Sequence, residues 1–219
     1  MGTRTERLTS TQITELVNDF LGRLGSSHVT APRGPFITVI GGAPGSGKTT
    51  IAHKLAYVSG SFHVQANSAR KLLRERGFLR GHNVRLVVLA VAERLLSQKW
   101  SVVLDGTIIE ETDRKTLKEL TKKHEAKTFF SMVTCNPEIA KDRARTRYAD
   151  KRPSTFDDWR CTPSKFDEYL GSIYKRTILV EKVLIDDSSG EIEIIDNNIA
   201  KSELCSQVHI LWAQIKKKL

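Results

Sequence analysis

The sequence predicts an α/β protein built on a mostly parallel sheet, and three observations carry that prediction. Short apolar, β-branched runs alternate with stretches of helical periodicity along the chain. Residues 42–49 read GAPGSGKT and fit G-x-x-x-x-G-K-[ST] without a mismatch, between the apolar run 36–40 and a helix-forming stretch from residue 51. A second apolar run, 101–104, ends at Asp105. Open parallel sheets bind ligands at the carboxyl ends of their strands. Gly42 and Asp105 both fall at such ends.

The chain has 219 residues and a hydrophobic share of 39%, enough for one domain with a packed core. No run approaches the ~20 apolar residues of a membrane span. Glu6, Glu15 and Asp19 interrupt the first thirty residues, which therefore do not read as a signal peptide. Cys135, Cys161 and Cys205 are odd in number, far apart and without metal-ligand spacing. They read as thiols of a cytoplasmic protein. The net charge of +10 favours an anionic partner. Residues 70–85 concentrate it, with six basic residues against the single acid Glu75.

In chain order, 11–24 reads as an amphipathic helix with Leu16, Val17, Phe20 and Leu21 at helical spacing. Ser10 or Thr11 is its expected cap. Ser, Pro and Gly make 25–35 a linker. The expected organisation is 1–34 as an N-terminal helix and linker on the outside of a domain spanning 35–219. Strands follow at 36–40, 62–65, 101–104 and 127–134. Helices are expected from the glycine-rich loop to about Ser59, at 67–76 with Asn67 or Ser68 as cap, at 83–99, 111–124, 137–148 and from 165 to about Tyr174. Gly77 and Gly81 bracket a loop, and 149–164 is irregular and charged. Residues 177–195 are open between strand and helix, with 192–195 a strand in either case. A helix at 201–217 closes the chain.

The glycine-rich loop carries the chemistry. Its backbone can curl until successive N–H groups point at one phosphate, and the following helix adds its positive end. The residues in contact are expected to be Gly42, Ala43, Pro44, Gly45, Ser46, Gly47, Lys48, Thr49 and Thr50. Lys48 is placed to reach the β- and γ-phosphates of ATP, and the Thr49 hydroxyl to ligate Mg²⁺. Three roles are open to Asp105: holding Mg²⁺, orienting an acceptor hydroxyl, or taking its proton. Arg143 and Arg147, four residues apart on one helix, can place positive charge over a transferring phosphoryl group.

These residues resemble the phosphate-loop kinases that include zeta toxins, phage polynucleotide kinase domains and many small-molecule kinases. The likeness runs from about Phe36 to Tyr174. It rests on the phosphate loop, on the Leu104-Asp-Gly-Thr107 step and on Asn136-Pro-Glu138…Arg143-x-x-x-Arg147. It implies a nucleotide-kinase-like three-layer sandwich with an Arg-rich lid around 141–164, in which Arg143 and Arg147 contact ATP. Strand two in that family usually ends in D-x-x-R, whose Asp is the general base and whose Arg binds substrate. Here the segment reads Asn67-Ser-Ala-Arg70. An amide positions a hydroxyl but cannot accept its proton. Three readings are then open: Asp105 serves as base, the reaction runs slowly without one, or nucleotide is bound without transfer. Asn67, Arg70 and Arg74 are the expected substrate contacts.

The function expected is an ATP- and Mg²⁺-dependent kinase of a hydroxyl on an anionic acceptor, with no membrane partner. A 5′-hydroxyl polynucleotide is one alternative acceptor. An ATP-binding regulatory module with weak hydrolysis is the alternative from another class.

Overall fold

The structure is a computed structural model that describes residues 7–25, 29–30, 34–78, 81–106, 111–151, 167–168, 170–172, 174–175, 192–198 and 201–219. The expected lid beyond Lys151 and the undecided stretch before Ile192 lie outside these residues, except for helical residues among 167–175. The order is α1 (Ser10–Arg23), β1 (Phe36–Gly42), α2 (Lys48–Ser59), β2 (Phe62–Gln65), α3 (Ala66–Glu75), α4 (Gly81–Ser97), β3 (Val102–Asp105), α5 (Glu111–Lys123), β4 (Lys127–Thr134), α6 (Pro137–Lys151), β5 (Ile192–Asp196) and α7 (Lys201–Lys218).

The five strands form one sheet in the order β2-β3-β1-β4-β5, and every pairing is parallel. Register puts Ile40 and Gln65 opposite Asp105, and Gly42 opposite Val133. Alternating side chains divide the core. Ile37, Val39, Val64, Val102 and Leu104 face a cluster shared with α1, α3, α4 and Leu117 of α5. Phe36, Ile40, Val103, Val133 and Ile195 face α2 and α7. β1 and β3, buried at every position, read as near-continuous apolar runs.

Local chemistry moves several boundaries. β1 extends two residues beyond Ile40, into the glycines. Thr9 caps α1 through a reciprocal pair of bonds with Gln12, and Glu15 falls outside the first turn. α3 starts at Ala66 behind Gln65, which gives no side-chain cap, so Asn67 is inside the helix and not its cap. Gly81 opens α4 instead of ending a loop, and α6 runs on to Lys151. α1 lies on α3 and α4, with Leu16, Val17 and Phe20 buried in the larger core cluster. Arg23 meets Glu75 at 2.6 Å, and Arg76 pairs with Asp19.

Candidate active site

The loop between β1 and α2 is held from two sides. Asn197, buried just after β5, donates from Nδ2 to the Ser46 carbonyl at 2.5 Å. A Cβ on Gly47, whose φ is +92°, would collide with that amide. On the other side α6 lies against Gly45, whose φ is +79°. A Cβ there would stand 2.9 Å from the Ala140 carbonyl carbon, with the oxygen nearer still. The Tyr174 hydroxyl donates to the Pro44 carbonyl. The Asn136 N–H, at 2.6 Å from Asn198 Oδ1, ties the start of α6 to the residues after β5.

Inside the loop, the Ser46 N–H bonds the Ala43 carbonyl, and the N–H groups of Thr50 and Ile51 bond the Gly47 carbonyl. Among the described residues, the N–H groups of Gly45, Gly47, Lys48 and Thr49 take no backbone carbonyl. Four such donors at the start of a helix make a concave anion cradle. Lys48 Nζ rests 3.3 Å from the Ala43 carbonyl. Burial pushes its pKa down; Asp105 opposes the shift, while Arg147 and Arg70 add to it. Those three are thus the charged neighbours of the amine, two cations and one carboxylate. Oxygen donors suit Mg²⁺, which is commonly held by one or two protein groups with phosphates and water. The Asp105 carboxylate beside Lys48 and the Thr49 hydroxyl in the first turn of α2 fit that donor set. No group of three or more His, Cys, Asp or Glu forms a metal cage among the described residues.

Asp105 is buried at the carboxyl end of β3. His63 Nε2, also buried, lies 3.6 Å from its Oδ2, and Gln65 reaches His63 Nδ1 at 3.2 Å. Asn67 Oδ1 accepts a bond from Arg70 Nη1 at 2.7 Å. Arg74 is half-buried further along α3. The two arginines of α6 diverge. Arg147 is near Lys48, whereas Arg143 donates to Cys135 Sγ at 3.5 Å. Burial raises the Cys135 pKa, and Arg143 opposes the rise.

Three of the six basic residues in the stretch 70–85 are held by the fold itself. Arg76 pairs with Asp19, Arg85 with Asp113 at 2.5 Å, and Arg70 with Asn67. The supports of the loop, Asn197, Asn198 and Tyr174, were not foreseen. For Asn197 and Asn198 the signal in the sequence is a polar pair directly after the strand that ends at Asp196; Tyr174 has no such signal. Thr50, Ala43 and Pro44 fall in the loop or its flanks as the motif requires.

Among the described residues no helix is long and apolar enough to cross a membrane. A search of the curated proteins finds no match. Among solved structures, a gluconokinase from Sinorhizobium meliloti 1021 is 16% identical with a TM-score of 0.56, covering 85% of this chain and 97% of its own. A structure of the PezAT chromosomal toxin-antitoxin system of Streptococcus pneumoniae is also 16% identical at a TM-score of 0.56, covering 97% of this chain and 96% of that one. Kti12 from Chaetomium thermophilum, solved in complex with ADP-AlF3, gives 16% and 0.56 over 81% of this chain and 97% of its own. These likenesses show the fold. A family model described as an AAA domain matches residues 37–162, more than half of the sequence. The chain belongs to that AAA domain family, and its fold is the one shared by phosphate-loop kinases.

Proposed function

We propose that this chain is an ATP- and Mg²⁺-dependent phosphotransferase acting on an oxygen of an anionic acceptor. One observation carries the reading: the Lys48 amine, whose charge feels Asp105, Arg147 and Arg70, lies in a loop where four N–H groups take no backbone carbonyl among the described residues. Gly42 to Thr50 would hold the triphosphate. Lys48 would offset charge on the β- and γ-phosphates, and a bound anion would oppose the lowering of its pKa by burial. Thr49 and Asp105 would hold Mg²⁺, which when bound supplies charge neutralisation on the phosphates. Arg147 would stand over the transferring group, with Arg143 on the nucleotide side near Cys135. Arg70, Asn67 and Arg74 would face the acceptor. A hydroxyl acceptor would need a base, and Asp105 is the carboxylate whose charge acts on the Lys48 amine. That one fold neighbour was solved with ADP-AlF3 and another is a gluconokinase supports nucleotide binding and transfer. Free thiols at Cys135 and Cys205 suit the cytoplasm.

The test is γ-phosphoryl transfer from labelled ATP with Mg²⁺ to small metabolites, to 5′-hydroxyl oligonucleotides and to water. Transfer to any acceptor, abolished in Lys48→Met, is the expected result. ATP binding with label reaching water alone would favour a regulatory module instead. The occupied amide oxygen of Asn67 is the observation that favours this second reading. Label in the oligonucleotide would favour the polynucleotide acceptor, although ion pairs to α1 and α5 occupy much of the basic stretch.

A further inference from the structure

We propose that His63 is a positioning residue of the phosphate site, whose Nε2–H holds the Asp105 carboxylate by Oδ2 and leaves Oδ1 for Mg²⁺. The inference rests on the Mg²⁺ ligation in the proposed function and names how that ligand is held. His63 and Gln65 stand two residues apart on β2 and so project from one face of the strand. Register puts His63 opposite Val103 and Gln65 opposite Asp105. The His63 ring therefore reaches diagonally along the sheet toward the carboxylate. Its Nε2 stops 3.6 Å from Oδ2, and the two side chains are only 10% and 4% exposed.

Two further contacts fix the tautomer and the orientation of the ring. Gln65 Nε2 lies 3.2 Å from His63 Nδ1. An amide nitrogen carries hydrogens and has no lone pair to give, so Nδ1 accepts and the ring proton stands on Nε2. His53 of α2 packs on the ring, with centroids 5.8 Å apart and planes at 49°. His63 Nε2 is itself buried and makes no hydrogen bond. Buried polar groups are nearly always bonded, so an open donor facing a buried carboxylate asks for a reason. At 3.6 Å the two atoms need to close by only about half an ångström to form a charge-assisted bond. Hydrogen bonds of an active site are often long without ligand and tighten when it binds. A carboxylate held at one oxygen presents the other in a fixed direction. Mg²⁺ demands near-ideal octahedral geometry and gains from a ligand fixed in this way.

The experiment uses the full chain with isotope-labelled histidines. Nitrogen NMR separates a protonated ring nitrogen from a bare one, and the His63 signal is assigned by its loss in His63→Gln. The wild type should carry the proton on Nε2 with Nδ1 bare. Calorimetry then measures ATP affinity with Mg²⁺ and with a chelator, and the ratio is the gain from the metal. His63→Leu should cut that gain about tenfold or more and leave the affinity without Mg²⁺ unchanged. His63→Gln, whose amide N–H can take the place of Nε2–H, should retain most of it. kcat for whichever acceptor is found should follow the same order. A proton on Nδ1 in the wild type, an unchanged gain in His63→Leu, or an equal loss in both variants would overturn the inference. If His63→Leu does not melt cooperatively, the wild-type tautomer and His63→Gln decide. Gain and tautomer as expected, with no transfer to any acceptor, would sink the phosphotransferase reading and leave the positioning of Asp105 standing.

Discussion

Replacing Gly45 by Ala tests whether α6 is seated on the phosphate loop. The comparison is Gly77→Ala, because the two glycines have nearly the same backbone, φ +79° and +76°. A non-glycine residue in the left-handed region costs about 1–2 kcal/mol. Reduced freedom of the unfolded chain returns about 0.4–1 kcal/mol. That balance applies to both variants. At Gly77 nothing lies within 4 Å of the added methyl, so the balance is the whole effect. At Gly45 the methyl meets Ala140 Cα at 3.2 Å and its carbonyl carbon at 2.9 Å, where ordinary contact begins at 3.4 Å. Both atoms are helix backbone, which cannot rotate away. Overpacking of this kind adds about 1–3 kcal/mol. At about 2–4 °C per kcal/mol for a domain of this size, Gly45→Ala should melt about 2–12 °C below Gly77→Ala. α6 also carries Arg147, so the same displacement should weaken ATP binding about tenfold or more, equivalent to ~1.4 kcal/mol. Thermal denaturation by circular dichroism and calorimetric titration with a non-hydrolysable ATP analogue give both quantities. Equal melting temperatures and equal affinities for the two variants would refute the seating of α6 on Gly45.

Lys48→Met should raise the stability of the nucleotide-free protein while removing ATP binding. The folded pKa of Lys48 lies below its unfolded value, so its penalty is full below the folded pKa and fades as pH rises toward 10.5; the melting advantage of the variant should shrink over the same window. Asn197→Ala removes the donor to the Ser46 carbonyl and leaves that oxygen unpaired, at a cost of about 1–3 kcal/mol, measurable by urea denaturation together with a loss of ATP affinity. Arg147→Ala should lower kcat by about 10²-fold, whereas Arg143→Ala should act mainly on KM for ATP; steady-state kinetics with varied ATP separate the two.

The order of elements was legible because it depends on local rules. The run 36–40 is buried at every position and apolar at all but Thr38, as suits a strand covered on both faces, and the motif after it dictates a turn and a helix. Asp105 could be found because an acid ends a buried strand. What stayed hidden comes from distance in sequence. Asn197 reaches Ser46 across 151 residues, and nothing in its neighbourhood announces that errand. Asn67 reads as a helix cap because its amide type caps helices, yet Arg70, one turn on, takes its oxygen. The charge of 70–85 was visible, but the acids that answer it were not. Asp19 belongs to α1 and Asp113 to α5, and charge counts along a segment cannot assign partners from other segments. The Arg76–Asp19 pair, with Arg23–Glu75, ties α1 to α3 in addition to its apolar stripe.

The glycines of the phosphate loop answer to more than phosphate. The motif requires Gly42 and Gly47 but leaves Gly45 free, as one of the four unspecified positions. Here Gly45 is as restricted as Gly47, and for a reason outside the motif: α6 occupies the space that its Cβ would need. Gly47 is restricted twice, once by its φ of +92° and once by the Asn197 amide. The loop is therefore shaped by two remote segments before any ligand arrives. Phosphoryl transfer relies on positioning and charge more than on covalent chemistry by the protein. A loop with four N–H donors that take no backbone carbonyl among the described residues, fastened through Asn197 on one side and α6 on the other, needs little reorganisation on binding. Asn67 and Arg70, at the start of α3, are likewise fixed against each other by the 2.7 Å bond between them.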